Sequence, residues 1–222
     1  MKLKYKRDNY KIKKLLIEIK RFKKFAKFIY YKKSDYGWEN YYKYWDNIFF
    51  NFEYVLKYCN INKVTKNTLR NMIYIIARNH EMEYLIKILI KYKDWFELLC
   101  EYSINIYEFE AKWQFAKYLS KVDISKECKK LILCFLNSKE EYVCRMAMIS
   151  LPKIFPDKVE YYADLFWHRN IYNNSLIEYQ KIVVLNALEK INSSKLDYYL
   201  KNISDNDGVY LNDLAKSLNR FF

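Results

Sequence analysis

The scarcity of glycine and proline is the feature that most constrains the fold of this 222-residue chain, since only two of each occur. Glycine supplies the positive-φ positions of tight hairpin turns, and both residues punctuate turns and strand ends. A sheet-rich fold of this length would need many such positions. The sequence therefore predicts an all-α fold in which helices are joined by short polar loops.

The N-terminal part of the chain predicts two helices. Between Ile12 and Ile29 apolar residues recur at spacings of three and four, which is the pattern of one buried helix face, while lysines occupy the other face. Residues 36–59 are dense in Tyr, Trp and Phe and predict a second helix, capped near Ser34 or Asp35. We expect these two helices to close the open end of a helical stack.

The rest of the chain contains an internal repeat. Residues 138–154 align with residues 175–191 at a constant offset of 37, with a shared Tyr and a shared Leu-x-Lys-Ile ending. Both segments open with Ser-x-x-Glu, which predicts a capping box at two equivalent helix starts. The residues concerned are Ser138 with Glu141, and Ser175 with Glu178.

Two weaker copies of the repeat lie upstream, at residues 65–78 and 107–122. Every copy is followed by a second apolar-periodic segment: 82–92, 124–136, 156–170 and 195–203. Periods of about 32 to 37 residues with two helices per unit are typical of a helical solenoid. We expect residues 65–222 to form the repeat region and residues 1–64 to cap it, as one continuous domain.

Residues 141–151 (Glu-Tyr-Val-Cys-Arg-Met-Ala-Met-Ile-Ser-Leu) resemble the first helix of a HEAT repeat. Four of its residues stand in the usual places of that helix: Val143, Arg145, Ala147 and Leu151. Together with residues 75–78 and 108–119, the pattern is similar to bacterial HEAT-like proteins encoded beside polymorphic or contact-dependent toxins as immunity proteins. The resemblance covers about residues 65–218 and implies a right-handed α-solenoid that neutralises a cognate toxin by direct binding.

In a HEAT stack the second helix of each repeat lines the concave side, where ligands often lie. On the segment 156–170 the apolar stripe is expected to be Phe155, Val159, Tyr162, Ala163 and Phe166. The residues left nearer the open face are the implied partner-binding residues: Glu160, Tyr161, Asp164, Trp167 and His168.

The net charge of +14 is unevenly placed, since residues 1–33 hold 14 Lys and Arg against Asp8 and Glu18. That segment therefore carries +12 and the remaining body only +2. A nucleic-acid or anionic-membrane partner would have to bind residues 10–33. The Lys, Asn, Ile and Tyr enrichment is also typical of an AT-rich genome, in which case these lysines are simply solvated.

The apolar stretches are too short to span a membrane, and we expect a cytoplasmic protein.

The inventory of catalytic residues is small, so we expect a binding protein and not an enzyme. The two histidines lie far apart, no His and Cys cluster has metal-ligand spacing, and two glycines cannot form a phosphate-binding loop. We expect no metal or cofactor, and five cysteines that are reduced and mostly buried. The alternatives are a generic HEAT scaffold and a DNA-binding HEAT-like protein related to alkylation-repair glycosylases. Those glycosylases resemble this chain in repeat length and in an Arg on a repeat helix, here Arg145. For Arg145 itself we expect a structural salt bridge.

Overall fold

A computed structural model of the chain describes residues 2–30 and 37–218. Within these two ranges the chain forms α-helices and short 3-10 turns and contains no strand, which confirms the all-α prediction. Nor does any helix in the described ranges combine the length and apolarity needed to cross a membrane.

The chain divides into two compact units. The first comprises Met1–Phe115 and Lys121–Cys128, and the second Ala116–Ser120 and Lys129–Phe222. The boundary expected after residue 64 lies inside the first unit, and the division into a cap and a repeat region stays a prediction.

The helices of the first unit include a long N-terminal helix and a series of shorter ones: α1 (Lys2–Tyr30), α2 (Trp45–Tyr58), α3 (Lys66–Arg78), α4 (Tyr84–Leu89), α5 (Lys93–Ile104), α6 (Phe109–Tyr118) and α7 (Lys126–Lys129). The last residues of α6 and of α7 belong to the second unit. The second unit continues with α8 (Leu131–Leu136), α9 (Glu141–Ile154), α10 (Val159–Trp167), α11 (Asn174–Lys190), α12 (Lys195–Lys201) and α13 (Val209–Leu218).

The predicted N-terminal helix is confirmed, and its apolar face packs against α2 through the fully buried Leu15, Ile19 and Phe22. The second helix begins later than predicted, at Trp45, because Gly37 has a left-handed φ of 79° and a 3-10 turn follows it. The cap expected at Ser34 or Asp35 lies outside the described residues.

The register of the predicted repeat is visible in the burial of α9 and α11, which pack against each other. Positions separated by 37 residues are buried in both helices, as expected if each helix turns the same face to the core. The pairs are Val143 and Gln180, Met146 and Val183, Ala147 and Val184, Met148 and Leu185, Ser150 and Ala187, and Leu151 and Leu188.

The capping box predicted at Ser138 is wrong. Helix α9 begins at Glu141, and the Ser138 hydroxyl accepts a hydrogen bond from the backbone N–H of Glu140 at 3.2 Å, two residues away. The Glu141 carboxylate does not reach back to a cap, because it accepts a hydrogen bond from Arg145 Nε at 3.0 Å one turn ahead.

The capping box predicted at Ser175 is wrong as well. Asn173 is the N-cap of α11, and its side chain accepts the N–H of Leu176 at 3.0 Å, which places Ser175 inside the helix. Asn is at least as good an N-cap as Ser, so the helix starts earlier than the Ser-x-x-Glu pattern implies. Glu178 instead accepts the N–H of Leu211 at 3.1 Å, near the start of α13.

Arg145 has the structural role expected of it. Its guanidinium pairs with Glu141 at 3.0 Å and lies 4.7 Å from the ring centroid of Tyr142 and 4.9 Å from that of Tyr179. The Tyr179 contact links α9 to α11. Arg145 therefore makes an ion pair and one cation–π contact within α9, and a second cation–π contact to α11.

The cysteines are free thiols, as predicted. Four are buried and Cys134 is exposed.

Candidate protein-binding face

Helix α10 follows a 3-10 turn that opens with Pro156, whose fixed φ suits the first turn of a helix. Its predicted apolar stripe is confirmed at Val159, Tyr162, Ala163 and Phe166, all buried, while Phe155 is only half-buried. Because one side of α10 is committed to the core, its remaining side chains have to face solvent or a neighbouring helix.

The predicted partner-binding residues of α10 differ in their surroundings. Tyr161 is 63% exposed, His168 is exposed, and Glu160 and Asp164 are half-buried. Trp167 is only 8% exposed, so its expected place on the open face is wrong. Its ring packs against the ring of Tyr199, with 4.7 Å between centroids, and the Lys181 ammonium lies 5.0 Å from it.

The two carboxylates of α10 are tied to α12 and to the turn before it. Asp164 accepts hydrogen bonds from the Tyr199 hydroxyl and, at 3.1 Å, from Lys195 Nζ. Glu160 accepts one from the Ser193 hydroxyl at 2.5 Å and lies 3.8 Å from the same lysine nitrogen. These contacts link α10 to α12 and fix both carboxylates in position.

The charges of this network are well defined near neutral pH. The Tyr199 hydrogen bond, assisted by Lys195, lowers the pKa of Asp164 although partial burial opposes the shift. The hydrogen bond to Asp164 raises the pKa of Lys195. Burial, together with the hydrogen bond to Asp164, raises the pKa of Tyr199, so that its hydroxyl stays protonated. Within this network the Lys195 ammonium lies between two carboxylates, those of Glu160 and Asp164.

Large apolar side chains stand exposed around these charges. Tyr198 of α12 is 59% exposed and Leu165 of α10 is 42% exposed, next to Tyr161. We name this surface the α10–α12 face and define it by the following residues: Glu160, Tyr161, Asp164, Leu165, His168, Lys195 and Tyr198. Aromatic side chains of this kind, exposed beside polar groups, are enriched at surfaces that bind other proteins.

Three residues of the α10–α12 face, Leu165, Lys195 and Tyr198, were not anticipated from the sequence. A signal for Tyr198 was present, because the offset of 37 that relates α9 to α11 also relates Tyr161-Tyr162 to Tyr198-Tyr199. In both pairs the first tyrosine is exposed and the second is buried, and the ring centroids are 5.2 and 5.3 Å apart. Positions 37 residues apart on α10 and α12 therefore present the same side chain to solvent.

The described residues contain no group of three or more His, Cys, Asp and Glu side chains arranged to hold a metal ion. Comparison of the chain with protein-family models, curated proteins and solved structures gives no match.

Proposed function

We propose that this chain is a non-enzymatic protein-binding protein whose helical hairpins stack as a right-handed, HEAT-like α-solenoid capped by residues 1–64. The support is the offset of 37 residues, which relates buried positions of α9 to those of α11 and exposed positions of α10 to those of α12. In stacks of this kind each repeat buries its apolar face against its neighbours, which leaves the second helices free to form a continuous binding surface.

The partner that we propose is a basic protein, in keeping with the cognate bacterial toxin that the sequence resemblance implies. We propose that the two proteins bind each other in the cytoplasm. The single observation that carries this is the α10–α12 face, where Tyr161 and Tyr198 flank two carboxylates that share one lysine. Tyrosine is enriched among residues that dominate binding energy, and complementary charge guides encounter and register. A cationic toxin surface meets both requirements, even though the body as a whole is nearly neutral.

The residues of the face have different roles in this proposal. Tyr161 and Tyr198 are the anchors that enter the partner's surface. Glu160 and Asp164 pair with its lysine or arginine side chains, and His168 lies at the rim. Trp167 supports the face from beneath through its packing on Tyr199, so its replacement disturbs binding only indirectly.

The test is to express the chain with the protein encoded immediately upstream of it. We expect a 1:1 complex by size-exclusion chromatography and loss of that protein's toxicity. In isothermal titration calorimetry, replacing both Tyr161 and Tyr198 with alanine should weaken binding by at least about 30-fold, corresponding to roughly 2 kcal/mol for a dominant contact. The matched control is Tyr107→Ala, which removes a tyrosine that is 94% exposed on the first unit.

Two results would overturn the proposal. If no complex forms with the co-expressed protein, the toxin partnership is wrong. If the complex forms with unchanged affinity in the Tyr161→Ala, Tyr198→Ala variant, then the α10–α12 face is not the binding surface. A circular-dichroism melt of each variant separates lost contacts from lost folding.

A further inference from the structure

A second surface with different chemistry lies on the first unit, where the outer sides of α1 and α2 meet. Three aromatic side chains follow one another along α2 at spacings of four residues: Phe50, Tyr54 and Tyr58. Neighbouring ring centroids are 6.3 and 4.5 Å apart, so the rings form a row along one side of the helix. Phe50 is 67% exposed and Tyr58 43% exposed, so both rings are accessible from solvent.

Lysine ammonium groups lie over the aromatic rings of this surface. Lys11 Nζ is 3.8 Å from the centroid of Tyr54, which brings α1 and α2 together at this point. Lys57 lies 5.2 Å from Tyr58. On α1, Lys14 lies 4.9 Å from the ring of Tyr10, itself 54% exposed. We call this set the lysine–aromatic surface, and its members are Tyr10, Lys11, Lys14, Phe50, Lys57 and Tyr58, with Tyr54 beneath Lys11.

The charge of this surface is positive. A shallow groove of about 350 Å³ runs between the α2 side chains, and its one acidic residue is Glu53. Lys57 lines this groove beside Glu53, Lys11 and Lys14 belong to the same surface, and α1 carries further exposed cations at Lys13, Lys20 and Lys24. Cations in this number, without matching acids, attract polyanions, which displace the small counterions around them.

We propose that the lysine–aromatic surface binds single-stranded nucleic acid, a function separate from that of the α10–α12 face. Nonspecific single-strand sites combine cations that track the phosphates with aromatic rings on which bases stack. Lys14 and Lys57 lie 4.9 and 5.2 Å from the exposed rings of Tyr10 and Tyr58. The exposed Phe50 ring extends the aromatic row, 6.3 Å from the Tyr54 ring that Lys11 covers. A duplex could use the cations but would leave the rings without bases to stack on.

An anionic membrane fits this surface less well. A helix that binds at the lipid interface inserts an apolar face among the headgroups. In α1 that face is already occupied, because Leu15, Ile19 and Phe22 are fully buried against the rest of the unit. What remains outside is a lysine-rich side with a few exposed apolar residues such as Ile17 and Phe28.

The test uses fluorescence anisotropy with a labelled oligothymidine of about 16 nucleotides, a typical upper site size. We expect binding that weakens steeply between about 50 and 200 mM salt. Changing Phe50 and Tyr58 together to alanine should reduce affinity at least about tenfold, since one stacked base is worth that much. Changing Lys11, Lys14 and Lys57 to glutamine should reduce the salt slope by up to about 2, at roughly 0.7 per phosphate contact.

Matched controls come from the second unit. The variant Lys153→Gln, Lys190→Gln, Lys201→Gln removes the same charge at exposed positions, and Tyr161→Ala with Tyr198→Ala removes two exposed rings. Both should bind oligothymidine nearly as the unchanged protein does.

Three outcomes would overturn the proposal. The first is no binding of oligothymidine at low salt. The second is binding that is equal for a duplex of the same length and insensitive to loss of Phe50 and Tyr58, which would leave only charge attraction. The third is binding to phosphatidylserine vesicles and not to the oligonucleotide, which would assign the surface to a membrane.

Discussion

At the scale of single residues, Gly208 illustrates how one backbone position joins two helices. Its φ of 118° and ψ of 153° lie in a region that only glycine occupies readily. A β-carbon at this position would also collide with the Glu178 carboxylate. That carboxylate accepts the N–H of Leu211 near the start of α13, so glycine allows a side chain of α11 to approach the first turn of α13.

We therefore expect Gly208→Ala to lower the free energy of unfolding by about 1–3 kcal/mol, the usual cost of a strained backbone conformation. Urea denaturation followed by circular dichroism measures the loss. Asn206→Ala, two residues earlier at an exposed position, is the control and should change stability by less than about 0.5 kcal/mol. Equal effects of the two substitutions would show that the Gly208 conformation carries no special cost.

At the scale of elements, α9 and α11 share a pattern of buried positions at an offset of 37 residues. Leu151 and Leu188 are one such pair, and both are fully buried. If the two helices fill equivalent places in successive hairpins, equivalent side chains should contribute similarly to stability. Ile149, also on α9, is 37% exposed and belongs to the opposite side.

Truncating either buried leucine to alanine should cost about 2–5 kcal/mol, because each change removes apolar contacts and leaves a cavity. Thermal and urea denaturation of Leu151→Ala and Leu188→Ala measure the two costs, with Ile149→Ala as the control from the same helix. We expect the two leucine variants to resemble each other and to exceed the control. A Leu188→Ala cost as small as that of Ile149→Ala would contradict the equivalence.

At the scale of the whole molecule, the five thiols report on folding in both units. Cys59, Cys100, Cys128 and Cys144 are buried, and only Cys134 is exposed. Reaction with a thiol reagent requires access to the sulfur, so a folded chain should present one reactive thiol and an unfolded chain all five.

Titration with Ellman's reagent should accordingly give one fast-reacting thiol per native chain and five in concentrated urea. Cys134→Ser should abolish the fast phase, whereas the matched change Cys128→Ser should leave it intact. Two or more fast thiols in the native protein would mean that one of the units is open in solution.

The sequence by itself determined the fold class and much of the packing register. Two glycines and two prolines in 222 residues leave helices as the available element, and the spacing of apolar residues identified the buried faces of α1 and α10. Local patterns suffice here because a helix buries its apolar side, and the spacing of apolar residues along the sequence shows which side that is.

The tertiary structure decided what local patterns leave open. The helix starts at Ser138 and Ser175 were mispredicted because Arg145 competes for Glu141, and Asn173 is an alternative cap for α11. Trp167 is buried because Tyr199, 32 residues later, packs against it. The partners of a side chain depend on which helix lies alongside, and contacts between distant positions of the chain exist only once the helices have packed.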